Sequence, residues 1–262
     1  MGKDISLYLE RLNIRNTEDY SPFELIKKIH YNHSLIIPFE NLDIISGKYP
    51  SLIYNDLFDK IVIQKRGGYC YELNGLLYHI LQSLNYKVSL LSSRILFGAT
   101  KIYFRGHQFI KLEYNNELYI LDVGYRNGLL MIIPFILNTE FVQESEIFKF
   151  LYIDEAYFLQ KMVLNKWENL YSFTSDPYLP EDFEPHHFYN AHSSSSIFTN
   201  TRIVSLKTIY GSYSLIDNEI IEIKNGEKIR TKISSKHEYQ DILFNTFHIN
   251  IRDTEMNTIY CW

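Results

Sequence analysis

The chain reads as an α+β protein, with its helices gathered in the first third and its strands after them. Two observations predict this. From Asp4 to about Asn85 apolar residues recur at three- and four-residue spacing, the period of helices with one buried face. From Tyr86 onward the period falls to two, and short apolar runs are separated by turn-forming pairs. At 262 residues the chain can bury a large core, as one domain or as two or three smaller ones.

Ile5, Leu9 and Leu12 mark a short first helix. Ser21-Pro22-Phe23-Glu24 combines a capping serine, a proline at the first helical position and a glutamate three residues after the cap. Leu25, Ile26 and Ile29 carry the stripe that follows. Asn55 is placed to cap another helix, with Leu57, Phe58 and Ile61 inward. Between them Pro38 forces extended or turn geometry, and Glu40 in an apolar run requires a buried partner. Leu73, Leu76, Leu77, Ile80, Leu81 and Leu84 then form the longest apolar stripe.

Tyr86 to Phe97 is a strand. His107 to Tyr114 and Glu117 to Tyr125 form a hairpin around Asn115-Asn116. Tyr157 to Leu164 and Trp167 to Phe173 form another, turning at Asn165-Lys166. His186 to His192 is a short helix. Ile197 to Leu206 and Ser212 to Ile223 are strands, with a turn at Asn225-Gly226. His237 to Phe247 is a late helix, and the tail from Arg252 has no clear period.

Lys and Arg total 26 against 31 Asp and Glu, a formal charge of −5, and no basic stripe is present. Nucleic acid and anionic membranes are therefore poor partners. No apolar run approaches ~18 residues, so nothing spans a membrane. Met1-Gly2-Lys3-Asp4 does not begin a signal-peptide pattern. Two cysteines, Cys70 and Cys261, fit a reducing, cytoplasmic setting, with Cys261 incidental. His186, His187 and His192 lack the Cys pairs or HExxH spacing of a metal site, so no metal is expected.

The chemistry points to Arg66-Gly67-Gly68-Tyr69-Cys70-Tyr71-Glu72-Leu73-Asn74. The glycines permit tight turning and close approach. Cys70 falls in the first turn of a buried helix, where the unpaired N–H groups and the macrodipole favour a thiolate, the nucleophilic form. The plainer alternative is a small buried cysteine. The hairpin supplies a test. If its turn is centred between Asn115 and Asn116, paired residue numbers sum to 231. His107 and Asp122 are then diagonal neighbours on one face, roughly 5.5–8 Å apart at Cβ. Gly124 opposite His107 leaves room over the ring. The order Cys, His, Asp suits an arrangement in which His takes the thiol proton and Asp fixes its tautomer.

These residues, with Ile37-Pro38-Phe39-Glu40-Asn41-Leu42 and Asp122-Val123-Gly124-Tyr125, resemble the arylamine N-acetyltransferase family over nearly the whole length. The resemblance implies a helical bundle carrying the cysteine (1–85), a β-rich, barrel-like domain carrying His and Asp (86–185), and an α/β lid (186–262). The catalytic core would be of the cysteine-protease or transglutaminase kind. The implied activity is ping-pong transfer from acetyl-CoA to arylamines, arylhydrazines or arylhydroxylamines through an S-acetyl-cysteine. Cys70 becomes the nucleophile, His107 its base and Asp122 the orienting acid. Phe39, Tyr69, Tyr125 and Phe198 are assigned to the acceptor pocket. Phe104, Arg105, Gly106 and Ser196 are assigned to coenzyme A. Arg105 would either meet a phosphate or be an ordinary exposed strand-edge residue.

The sequence departs from the family pattern where Ser194 replaces a frequent proline, and where Tyr125-Arg126-Asn127-Gly128-Leu129 replaces a Gly- and Pro-containing segment. The same triad also suits a papain- or transglutaminase-like amide hydrolase. A binding protein that kept the scaffold is a third reading, which the intact Cys, His and Asp oppose.

Overall fold

The computed structural model describes residues 2–99, 101–126, 128–144 and 146–260. Cys261 and Asn127 lie outside them. The N-terminal helices are α1 (Lys3–Arg11), α2 (Pro22–Ile36), α3 (Leu42–Ile45), α4 (Tyr54–Phe58) and α5 (Cys70–Ser83), with a π-type turn over Asp59–Ile63. The start of α2 is closed reciprocally. Ser21 Oγ accepts the Glu24 N–H at 3.3 Å, and Glu24 Oε2 accepts the Ser21 N–H at 2.9 Å. Leu73, Leu76, Leu77, Ile80 and Leu81 of α5 are fully buried. Their periodicity is met by a core shared with α1, α2, α4 and one face of the following strands.

Those strands are β2 (Lys87–Ile95), β3 (His107–Tyr114), β4 (Glu117–Leu121), β5 (Ile133–Pro134), β6 (Glu140–Gln143), β7 (Glu146–Ile153), β8 (Ala156–Val163) and β9 (Lys166–Phe173). They form one antiparallel sheet in the order β5-β4-β3-β2-β9-β8-β7-β6. It curls until Leu137, just beyond β5, bridges Phe150 of β7, which nearly closes a barrel. Its interior is apolar and aromatic: Phe109, Phe148, Phe150, Leu159, Tyr171 and Phe173. Successive residues of β3 point to opposite sides. Phe109 faces the barrel interior, while Ile110 and Leu112 face α5.

The third part begins with α6 (Glu184–His192) and α7 (Ile197–Asn200), continues through β10 (Ile203–Thr208), β11 (Gly211–Ile216), β12 (Glu219–Lys224) and β13 (Glu227–Lys232), and ends with α8 (Lys236–Asn245) and α9 (Asp253–Ile259). Its five-stranded sheet has a member from far upstream. Phe39–Glu40, a strand of two residues, pairs with β10 through Phe39↔Ser205 and Glu40↔Val204. The other edge of that short strand bonds to the glycine turn, with the Glu40 N–H donating to the Gly68 carbonyl at 2.8 Å.

Several expectations change. Asn55 lies inside α4 and caps nothing; the helix starts earlier because Ser51 Oγ accepts the Ile53 N–H. The β8–β9 turn is Leu164-Asn165, both with positive φ, not Asn165-Lys166, since Val163 pairs with Lys166. Ile197 to Leu206 is not one strand. Ser196 Oγ accepts the Phe198 N–H and starts a helical turn there. Ser212 to Ile223 is two strands, split at Asp217, which has φ of 48°. The strands between Ile133 and Ile153 and the helix α9 extend beyond the elements read from the pattern.

Gly67 carries a strict requirement. A Cβ there would stand 2.0 Å from the Pro38 carbonyl oxygen, so close approach, not unusual φ, demands glycine. Gly67→Ala is expected to cost at least about 2 kcal/mol and to lower Tm by roughly 5 °C or more. An unchanged Tm in a thermal melt would show that the Pro38 strand moves aside.

The α2 helix also buries two histidines completely. His33 Nδ1 meets the Tyr8 hydroxyl at 2.7 Å, and His30 Nδ1 meets the Leu130 carbonyl at 3.3 Å. Burial depresses both, His30 from 6.5 to about 4, against a smaller opposite effect of Leu130 and Asp122. The mutual proximity of the two rings and Arg11 depress His33 further. Above about 6.5 neither the folded nor the unfolded state holds the His30 proton. Between there and about 4 only the unfolded chain takes it up, so stability falls with falling pH and levels off below about 4. For His30 alone the loss amounts to about 3 kcal/mol. Denaturant midpoints between pH 7 and 4 should fall accordingly, and less steeply in His30→Gln; equal slopes would refute this assignment.

Candidate active site

The turn before α5 aims the cysteine. Pro38 and Gly68 run side by side, and Glu72 Oε2 accepts the Tyr69 N–H at 3.0 Å, so the helix begins at Cys70. Cys70 is 5% exposed. Behind it Arg66 meets Glu40 at 2.7 Å and Asp43 at 3.2 Å, and Lys60 meets Asp43 and Glu72 at 2.7 Å each. The partner expected for Glu40 is thus Arg66.

The β3–β4 hairpin has the anticipated register: Ile110↔Leu121, Lys111↔Ile120, Leu112↔Tyr119. Asn115 and Asn116 both take positive φ, as the tight turn requires. His107 opens β3 and Asp122 follows the last residue of β4. His107 Nε2 lies 2.7 Å from Asp122 Oδ2, with both side chains buried. Nδ1 remains for Cys70. Burial alone would depress the imidazole. The charge and hydrogen bond of Asp122, then the hydrogen bond of Cys70, outweigh burial and hold His107 at about 10. The imidazolium is therefore the stable partner of the sulfur at neutral pH.

Asp122 is held from several sides. Its Oδ1 accepts from Asn74 Nδ2 at 3.0 Å and from the Gly124 N–H at 3.1 Å. Its own N–H donates to His30 Nε2 at 3.0 Å. Asn74 belongs to the same helix as Cys70, one turn on. A Cβ at Gly124 would stand 2.7 Å from Cys70 Cα, so the chain after Asp122 passes directly over Cys70.

A cleft of about 650 Å³ opens over Cys70 and His107. Phe39, Tyr125 and Phe198 wall it, and Phe104, Gly106 and Ser196 line it as well. Tyr69 and Arg105 do not. Tyr69 is fully buried behind the wall, its ring edge-on to Phe198 and its hydroxyl bonded to His187 Nδ1. The Arg105 guanidinium is turned to Thr174 Oγ1 at 3.0 Å. The Arg105 carbonyl accepts the Ser92 hydroxyl at 2.8 Å, and its neighbours Phe104 and Gly106 line the cleft in its place.

Residues without a role of their own in the sequence reading complete the surroundings. His187 passes a hydrogen from Nε2 to the Pro50 carbonyl at 2.7 Å, which fixes Nδ1 as acceptor for Tyr69. Tyr71 donates to the Gly106 carbonyl, and Asn190 Nδ2 donates to the Tyr71 hydroxyl at 3.3 Å. Asn41 Nδ2 donates to the carbonyls of Phe198 and Thr201, each at 2.8 Å, and its Oδ1 accepts the Ile203 N–H. Asn41 thereby hangs Phe198 over the cleft. Only the His-and-Asn richness of these segments hinted at such links. Among the described residues no cluster of three or more His, Cys, Asp or Glu could hold a metal, and no helix is long and apolar enough to cross a membrane.

Known proteins resemble this chain in sequence and fold. The N-acetyltransferase family model matches residues 23–256. Human arylamine N-acetyltransferase 1 is 29% identical over 95% of this chain and 95% of its own. The solved arylamine N-acetyltransferase from Salmonella typhimurium superposes with a TM-score of 0.92, at 21% identity, over 99% of this chain and 98% of that one, and so shares the fold. A Bacillus cereus arylamine N-acetyltransferase, described as having a unique Cys-His-Glu triad, superposes with a TM-score of 0.86 at 26% identity, covering 96% and 100%. With its helical layer, barrel-like sheet, cysteine-protease-like core and near end-to-end match, the chain belongs to the arylamine N-acetyltransferase family.

Proposed function

We propose that Cys70, His107 and Asp122 are the catalytic triad of an arylamine N-acetyltransferase that takes acetyl groups from acetyl-CoA. One observation carries this: the buried His107–Asp122 pair beside Cys70, at the base of a cleft walled by aromatic rings. The three-part division at 85 and 185 is also our reading, supported by the order of the helices, the eight-stranded sheet and the five-stranded sheet along the chain, although the first buried core is shared by the helices and β2–β4.

The Cys70 thiolate attacks the thioester carbonyl. Backbone N–H groups at the very start of α5, that of Cys70 among them, hold the developing oxyanion. The tetrahedral intermediate collapses, the C–S bond to coenzyme A breaks, and His107 gives its proton to the departing thiol. S-acetyl-Cys70 remains. The amine attacks the acetyl carbon and passes a proton to the now neutral His107, and Cys70 leaves to reform the ion pair. Asp122 keeps the imidazole oriented throughout. Phe39, Tyr125 and Phe198 favour flat apolar acceptors: arylamines, arylhydrazines or arylhydroxylamines. Phe104, Gly106 and Ser196 line the path for coenzyme A; Arg105 would act only if its bond to Thr174 opened. The hydrolytic alternative is not favoured, since the relatives are transferases by name.

Mixing the protein with acetyl-CoA alone should add one acetyl mass, located on Cys70, and release an equivalent of coenzyme A. Cys70→Ser should lose that product and all but a trace of turnover. Residual turnover within about tenfold of wild type, ~1.4 kcal/mol of barrier, would reject Cys70 as nucleophile.

Truncating Phe198 separates the half-reactions. Phe198→Ala should weaken aromatic acceptors by roughly 1–3 kcal/mol while single-turnover coenzyme A release changes less. Equal losses in both half-reactions would move Phe198 from the acceptor pocket to general support of the cleft.

A further inference from the structure

The mechanism uses three side chains and leaves a fully buried histidine unexplained. His30, in α2, has both ring nitrogens committed. Nε2 stands 3.0 Å from the Asp122 backbone nitrogen and Nδ1 3.3 Å from the Leu130 carbonyl oxygen. An amide N–H only donates and a carbonyl only accepts, so the hydrogen is on Nδ1 and the lone pair on Nε2. The ring is neutral and its tautomer is set by the backbone it touches.

We propose that His30 is a positioning residue for acetyl transfer: it fixes the Asp122 backbone, and through it the carboxylate that orients His107. This rests on the triad reading above.

Asp122 needs such a support because of where it lies. The β3–β4 ladder ends at Ile110↔Leu121, and β5 pairs with β4 only at Tyr119 and Ile120. The Asp122 N–H is therefore past the last strand partner, yet the residue is 1% exposed. A buried N–H without a partner is unfavourable, and a chain without ladder bonds is free to rotate. Three consecutive N–H groups are instead held by side chains. Asp122 N–H goes to His30, Val123 N–H goes to Asn74 Oδ1 at 3.0 Å, and Gly124 N–H goes to Asp122 Oδ1 at 3.1 Å.

Asn74 fixes this segment relative to α5 and so to Cys70. His30 fixes it relative to α2, and its other nitrogen ties in Leu130. The two anchors come from different helices and grip different peptide units, so neither replaces the other. Losing His30 leaves Asn74 and the hairpin in place but frees the peptide unit on which the Asp122 side chain is mounted. A small rotation there swings the carboxylate against a ring that must keep one edge to Asp122 and the other to the sulfur.

His30→Leu removes the acceptor at similar bulk, whereas His30→Gln keeps one. Single-turnover acetylation of Cys70, its iodoacetamide alkylation rate against pH in a Cys261→Ser background, and thermal unfolding are compared. His30→Leu should slow acetylation by roughly ten- to a hundredfold, as losing an orienting group behind a reacting one does elsewhere. Its alkylation profile should move to higher pH while the acceptor KM stays unchanged. His30→Gln should recover the rate to within about threefold, because its amide oxygen can take the Asp122 N–H.

A folded His30→Leu with the wild-type rate and alkylation profile overturns the proposal. So does a rate loss that merely follows the folded fraction. Asp122→Asn separates this outcome from the triad reading. If Asp122→Asn is crippled and folded His30→Leu is not, only the positioning role fails; if Cys70 is never acetylated, the triad reading fails too. Should His30→Leu not fold, the imidazole ¹⁵N spectrum of the wild-type protein decides, with His30 assigned by difference against His30→Gln. A neutral Nδ1–H ring with a hydrogen-bonded Nε2 supports the role. An Nε2–H tautomer or a charged ring at pH 7 overturns it.

Discussion

Glu40, Asp43, Lys60, Arg66 and Glu72 meet, largely out of water, where the Pro38–Asn41 segment, the glycine turn and the first turn of α5 come together. Arg66 holds Glu40 and Asp43, Lys60 holds Asp43 and Glu72, and the two glutamates have a further task. Glu40 Oε2 accepts the Leu42 N–H at 2.8 Å, and Glu72 Oε2 accepts the Tyr69 N–H. Burial works against all of these charges. Lys60 and Arg66 nevertheless bring Asp43 down to about 2, and the surrounding carboxylates keep Lys60 and Arg66 protonated. Such a cluster adds little net stability compared with apolar packing, but removing one member strands the rest, typically at about 3–5 kcal/mol. What it provides is a fixed geometry for the backbone immediately before Cys70. The 2.0 Å demand at Gly67 is the steric side of that constraint.

The side chains we propose for the reaction and its pocket stand at the ends of elements: Cys70 at the first residue of a helix, His107 at the first residue of a strand, Asp122 just past a strand, and Phe198 in a single helical turn. Ends have backbone groups that no ladder or helix satisfies, so their positions must be set by side chains. Asn41, Asn74, His30 and Ser196 do this, each bonding to backbone. The apolar cores beneath provide rigidity, while these few polar side chains set direction.

Much of this was legible in the residues because the deciding chemistry is local. Asn115-Asn116 accepts left-handed backbone, and the alternation on either side leaves one register that buries both faces of β3. The relation of His107 to Asp122 follows. The stripe from Leu73 to Leu81 and the box at Ser21 are equally local. The illegible parts depend on distant partners or on atypical residues. His30 meets a backbone N–H 92 residues away, which no side-chain pattern encodes. Leu164 occupies a turn position that usually belongs to Asn or Gly; its side chain, 92% exposed, contributes no packing to reveal it. Tyr69 and Arg105 adjoin the right segments but point the other way, and orientation within a loop is invisible to spacing.

The two-residue strand Phe39–Glu40 has a bearing on how the chain acquires its reactivity. It completes its pairing only with Val204 and Ser205, and Asn41 closes onto carbonyls up to 160 residues away. Contacts of such long sequence separation form late, because so much chain must first be ordered. During synthesis the segment around Cys70 emerges well before Asp122 and long before Phe198. Cys70 thus precedes His107 and Asp122 by a short stretch of chain, and Phe198, which walls the cleft, by a long one. The cleft over Cys70 is complete only once the last third of the chain docks, since Ser196, Ile197 and Phe198 line it, so the acceptor pocket we propose belongs to finished molecules alone.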